Sequence, residues 1–201
     1  MIFDDILKKY RDYSFSERDK GTRFERLMRA YLLTDPKYTS TLKNVWMWED
    51  FFARKEFGTV DTGIDLVAET FDGEFWAVQC KCYAENSVID KSSVDTFFST
   101  SGKRFNNLDG EQTGFAQRIW ISTTDRWTTN AENTLFEQII PITRINISDL
   151  QNAPVDWDNL ERGLHGKAAR TKQYTLKPHQ KIALQKTHEH FKRKFQSKNA
   201  I

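Results

Sequence analysis

Histidine is missing from the first 164 residues of this 201-residue chain; all four, His165, His179, His188 and His190, follow. That absence excludes Ser-His-Asp hydrolysis, His-ligated zinc and other histidine-based hydrolysis from the body of the protein. Its chemistry is left to carboxylates, amides, lysines and hydroxyls. Cysteine is nearly absent too. Cys80 and Cys82 stand two apart, and on a strand they would point the same way, a poor geometry for a disulfide. A reducing compartment fits. No apolar run approaches the roughly 20 residues a membrane span needs. The start, MIFDDILKKYRDY, is amphipathic and has no signal-peptide core. These features point to a cytoplasmic protein with no membrane partner.

Aromatic residues are plentiful, with 15 Phe and 6 Trp, and 38% of the chain is hydrophobic. That is enough for a sizeable core. The net charge of +2 hides an asymmetry. Residues 1–162 carry 20 Lys/Arg against 27 Asp/Glu, a net −7. Residues 163–201 carry ten against one, a net +9. A basic tail of this kind suits nucleic acid or an acidic partner, or is simply a solvated helix.

Periodicity predicts a short helix over Ile2–Tyr10 and a second from Ser16 or Asp19, with Phe24, Leu27, Met28, Tyr31 and Leu32 on its buried face. Asp35-Pro36 ends it. Strands are expected at 45–52, 64–71, 74–83, 118–123 and 142–147, and helices at 90–100 and from Thr129-x-x-Glu132 to about Gln138. Residues 148–150 read as a terminal turn. The resulting class is α/β (α+β), a mixed central sheet flanked by helices, with a C-terminal helical extension. Residues 1–160 are expected to form the domain, 161–174 a linker, and 175–201 the start of a further unit.

Asp72-Gly73 is a hairpin signal between two of these strands. On the return strand, Gln79 and Lys81 share one face, and Trp76, Val78, Cys80 and Cys82 the other. Register decides whether Asp65 joins them. A strict two-residue loop pairs Asp65 with Cys80, on the wrong face. A loop of 72–74 pairs it with Lys81, and a loop of 71–73 with Gln79. One of the last two, or a bulge, is expected. If the three converge, a carboxylate, an amide oxygen and the backbone carbonyl of Cys80 are hard ligands suited to Mg²⁺. A lysine beside them can orient a water or stabilise charge developing on phosphate. Such a set can hydrolyse DNA without histidine. Cys80 and Cys82 otherwise read as core. Asp61 reads as a turn residue or a second acid. Thr123, Thr124 and Asn130 read as caps or phosphate contacts.

The segments GTRFERLMRAYL, DTGIDLVAE, WAVQCKCYAENSVIDKSSVDTFF and RIWISTTDRWTTNAENTLFE, over residues 21–150, resemble the Mrr-type branch of the PD-(D/E)xK nucleases. The resemblance implies a restriction-endonuclease-like fold and Mg²⁺-dependent cleavage of double-stranded DNA. It assigns Asp65 and Gln79 to metal binding and Lys81 to catalysis. Gln79 stands where most of the superfamily has Glu. Glu25, on the Gly-x-x-Phe-Glu helix, matches an acid that often joins the site.

Leu176-Lys177-Pro178-His179-Gln180 and the amphipathic stretch after it resemble the segment before the Walker A strand of superfamily-two helicases, which gives Gln180 a nucleotide-binding role. The sequence given has no G-x-x-x-x-G-K-[ST]. The whole is similar to the start of single-polypeptide Type I restriction-modification enzymes. That similarity implies a bacterial cytoplasmic setting, ATP used by a longer chain, and helicase, methyltransferase and target-recognition parts beyond it. It also allows transient dimerisation for double-strand cleavage. The alternative is a non-catalytic DNA-binding or scaffolding domain of a helicase.

Overall fold

The computed structural model describes residues 2–58, 62–136, 138–171, 177–183 and 185–187. Asp61, His188 and His190 lie outside them. Six strands form one sheet: β1 (Leu42–Met47), β2 (Leu66–Thr70), β3 (Phe75–Lys81), β4 (Arg104–Asn106), β5 (Gln112–Ser122) and β6 (Ile142–Ile145). The order is β1-β2-β3-β5-β4, with β6 also on β5. The pairs β1–β2, β2–β3 and β4–β5 are antiparallel, whereas β5 lies parallel to β3 and to β6. The sheet is mixed, as expected.

Alternation along the strands builds two cores. On one face Leu66, Ala68, Val78, Cys80, Ile119 and Ile121 pack under α1 (Phe3–Tyr13), α2 (Glu17–Leu32), α3 (Pro36–Thr39), α6 (Ile147–Gln151) and α7 (Trp157–Glu161). On the other face Val67, Phe75, Ala77 and Trp120 meet α4 (Lys91–Ser101) and the aromatic turn Phe51–Phe57. So the face of β3 that bears Gln79 and Lys81 begins apolar, at Phe75 and Ala77. Gln79 itself is only 2% exposed. The expected contrast between an apolar and a polar face of β3 therefore holds only at its C-terminal end.

Several boundaries differ from the sequence reading. The strand expected at 45–52 stops at Met47, and Trp48–Asp50 turns as a 3₁₀ helix. Asp35-Pro36 ends α2 and also opens α3, because Asp35 caps the Lys37 N–H at 2.8 Å and proline is tolerated in a first turn. α5 (Thr129–Phe136) is capped one residue earlier than expected: the Thr128 hydroxyl accepts from Ala131. The β4–β5 hairpin had no alternating signal long enough to read. The turn expected at 148–150 is part of α6. α4 starts where expected, with Asp90 accepting from Ser93 N–H at 2.8 Å.

The compact unit extends to Thr171, past the domain end expected at residue 160 and into the segment expected as a linker. Ala169 is fully buried, and Asp156 N–H donates to its carbonyl at 2.6 Å. Arg170 donates to the Thr34 carbonyl and the Thr39 hydroxyl. Small, weakly periodic residues read as a linker, yet here they pack as a strap. In the second unit, residues 178–183 and 185–187 are helical. There Gln180 accepts through Oε1 from Lys177 N–H at 2.9 Å. Among the described residues, no helix is long and apolar enough to cross a membrane.

Candidate active site

The β2–β3 hairpin turns through Phe71, Asp72 and Gly73. Thr70 N–H donates to the Glu74 carbonyl, and Glu69 pairs with Phe75. This is the three-residue 71–73 loop, the register that brings Asp65 beside Gln79. Asp65 N–H donates to the Val78 carbonyl at 2.9 Å, although Val78 already pairs with Leu66. Two consecutive residues therefore face one, as in a bulge, and the strand end bends.

The Asp65 carboxylate is held from both sides of that bend. Its Oδ2 accepts from Gln79 Nε2 at 2.9 Å and from Cys80 N–H at 2.6 Å. The amide of Gln79 thus presents nitrogen, not oxygen, to Asp65. Its Oε1 is turned toward Gly63, whose φ is +64°. A Cβ at Gly63 would sit 3.0 Å from that oxygen and 2.9 Å from the Phe97 amide nitrogen. Only glycine fits both the conformation and the space.

Glu25 reaches the same place from α2. Its carboxyl is pushed up to about 7, first by burial and then by the negative charge of Asp65, while Lys81 and Arg26 pull it down and Glu49 pushes it further up. These couplings place Asp65, Lys81 and Glu25 in one electrostatic neighbourhood. Cys80 is a buried free thiol raised well above its ordinary range, chiefly by desolvation. Neither cysteine is in a disulfide.

An open cavity of about 390 Å³ lies in front of these groups, lined by Glu25 and Asp65 together with Arg18, Thr22, Glu49, Arg54 and Thr62. The sequence reading missed Glu49, Arg18 and Arg54. Glu49 lies in a stretch that reads as strand, and isolated arginines carry no signal until folding places them. A neighbouring cavity of about 600 Å³ shares Met47 and Glu49 with this one and extends along α2 toward Tyr10 and Glu161.

The donor set suits a hard divalent cation. Two carboxylates and an amide stand close, and one carboxylate has its ionised form disfavoured by burial and by the other. A cation would relieve both penalties. Among the described residues, no three His, Cys, Asp or Glu side chains gather closely enough to hold a metal by themselves. An ion here would keep waters or phosphate oxygens, as Mg²⁺ commonly does. Thr123 and Thr124 are not open to phosphate. Both are buried, and their hydroxyls donate to the carbonyls of Tyr83 and Ser87.

Comparison with known proteins adds to this geometry. A family model described as a restriction endonuclease, Mrr_cat_2, matches residues 33–167. The chain belongs to this restriction endonuclease family. The matched segment contains Asp65, Gln79 and Lys81, and begins after Glu25. Among solved structures, the chain is similar to one described as "ATP-dependent Type ISP restriction-modification enzyme LlaBIII bound to DNA", at 26% identity and a TM-score of 0.63. That match covers 96% of this chain and 11% of the larger enzyme. The chain thus spans about a tenth of the length of that relative. No curated protein matched. The sheet and its flanking helices are those of a restriction-endonuclease-like fold.

Proposed function

We propose that this chain is a Mg²⁺-dependent DNA endonuclease domain that cleaves phosphodiester bonds in double-stranded DNA. One observation carries the reading: the hairpin register sets Asp65 against Gln79 and the Cys80 amide at the end of β3, with Glu25 and Lys81 electrostatically coupled to it. Family membership supports the same chemistry.

In this reading Asp65 and Glu25 hold the metal, with the Cys80 carbonyl as a third protein oxygen. Gln79, as it stands, fixes the Asp65 carboxylate through its amide nitrogen; a ligand role through Oε1 requires the amide to turn over. When bound, Mg²⁺ polarises the phosphodiester and lowers the pKa of a coordinated water. Lys81, electrostatically coupled to Glu25, supplies the positive charge that would orient the attacking water or stabilise charge developing on the phosphate. Glu25, with its carboxyl near 7, releases its proton as a cation enters.

The similarity to a far longer, ATP-dependent enzyme supports a second level of the proposal. Residues 1–171 would be the nuclease part of a larger bacterial, cytoplasmic restriction enzyme. Residues from 175 on would begin its ATP-driven motor, with Gln180 near the nucleotide. Methyltransferase and target-recognition parts would supply specificity, and transient pairing of two nuclease domains would cut both strands.

The test is nicking of supercoiled plasmid by this chain in Mg²⁺, beside Asp65→Ala and Lys81→Ala. Wild type should nick, and each variant should lose at least about a hundredfold in rate. Equal activity in all three, with folding intact by circular dichroism, overturns the assignment of the site.

A further inference from the structure

The cavity in front of Asp65 carries a feature that metal binding leaves unexplained: two arginines at its wall. Arg18 stands in the first turn of α2, and Arg54 in the separate 3₁₀ turn Arg54–Phe57. Both are exposed, and among the described residues neither side chain makes a hydrogen bond or an ion pair. Of the other basic residues of α2, Arg26 is exposed and lines the neighbouring cavity, and three are engaged within the fold. Arg23 pairs with Asp19 at 3.0 Å, Arg29 donates to the Val45 carbonyl at 2.7 Å, and Lys20 pairs with Glu17 at 2.6 Å. Arg18 and Arg54 are left available beside a floor of acids.

The helix explains why Arg18 faces that floor. Arg18, Gly21, Thr22 and Glu25 all line the cavity and follow the spacing of one helical stripe. Two small residues separate the arginine from the glutamate, so the surface between them stays open. Seven residues of helix rise set Arg18 about 10 Å from Glu25 along the axis. That separation lets Arg18 hold a backbone phosphate beside the one lying over the carboxylates. Guanidinium groups grip phosphate oxygens in pairs, and fixed acids nearby would repel a phosphate that had no such counterweight.

We propose that Arg18 and Arg54 hold the DNA backbone phosphates on either side of the scissile one. The proposal rests on the nuclease reading and names how that site takes its substrate. It also gives the acidic body a local cationic grip that the overall charge of residues 1–162 conceals.

The experiment measures affinity of the full 201-residue chain for a fluorescent DNA duplex in Ca²⁺ over a salt series. Each of Arg18→Ala and Arg54→Ala should reduce the slope of log affinity against log salt by about 0.9, and the double variant by about twice that. Arg23→Ala, which removes an arginine already paired with Asp19, should leave the slope unchanged. Arg18→Lys and Arg54→Lys should restore the slope, because the phosphate contact survives. Melting temperatures should not move, since neither arginine supports the fold. Wild-type slopes in both alanine variants, or no measurable duplex binding by the wild type, overturn the proposal. Normal slopes of this kind in a chain that never nicks plasmid would instead overturn the nuclease reading and leave the phosphate grip standing.

Discussion

Glu25 lowers the stability of the fold when it is ionised. Its carboxyl is raised from 4.5 to about 7 in the fold. A raised carboxylate binds more protons folded than unfolded. Stability therefore falls as pH rises from about 4.5 to 7 and stays lowered above that. Glu25→Gln should raise the metal-free melting temperature by about 4 °C at pH 8 and leave it unchanged near pH 4, a comparison calorimetry can make directly. If Glu25 holds a cation as proposed, divalent-cation affinity should climb through pH 7 in the wild type, and isothermal titration at pH 6 and pH 8 checks it. Gln79 tests the geometry differently. Gln79→Glu would replace a 2.9 Å donor to Asp65 with a like charge in a nearly dry position. The metal-free protein should lose about 2–4 kcal/mol in urea unfolding. Mg²⁺ should recover more of that loss than it adds to the wild type.

At the scale of the element, the site depends on how β2 enters the sheet. The turn 71–73 sets the register, and the bulge-like contact of Asp65 and Leu66 on Val78 re-aims the carboxylate toward the C-terminal end of β3. Gly63 closes the loop ahead of it against α4. Gly63→Ala should therefore destabilise the fold by at least about 1–2 kcal/mol, because φ of +64° and a 2.9 Å contact with the Phe97 backbone both oppose a Cβ. It should also lower Mg²⁺ affinity beyond what Gly73→Ala does, since Gly73 also has positive φ but open space around it. The hairpin and the residues it brings together were legible in the sequence. The choice among its loops was not, because a one-residue change in loop length costs little locally and is decided by which side chains reach the two cores.

At the scale of the whole molecule, the sheet separates two cores and the site lies at its end, where α2 passes the tips of β2 and β3. The strap through residue 170 ties the C-terminal side of the unit back to the turn after α2. A chain ending at residue 160 should melt several degrees below one ending at 171, whereas the latter should melt like residues 1–171 within the full chain. The aromatic cluster around Phe51, Phe57, Phe75, Phe105 and Phe115 accounts for much of the phenylalanine richness of the sequence. It belongs to the core on the β3 face opposite α2, which supports the Gln79 side of the site.

Local pattern alone was sufficient for the elements with strong periodicity or clear caps: α1, α2, α4, the β2–β3 hairpin and the strand carrying Ile119 and Ile121. It was also sufficient to exclude histidine chemistry from the body and to bring forward Asp65, Gln79 and Lys81; Glu25 came forward through the family resemblance. These properties depend on neighbours a few residues away, which the chain order itself supplies. Tertiary structure alone decided that Asp65 takes its hydrogen bonds from Gln79 and Cys80, that Glu25 is desolvated beside it, that Glu49, Arg18 and Arg54 share its cavity, and that residues 163–170 pack on the body. Each of those facts joins residues well beyond the reach of one local element, and burial and electrostatic coupling exist only once such segments are brought within contact.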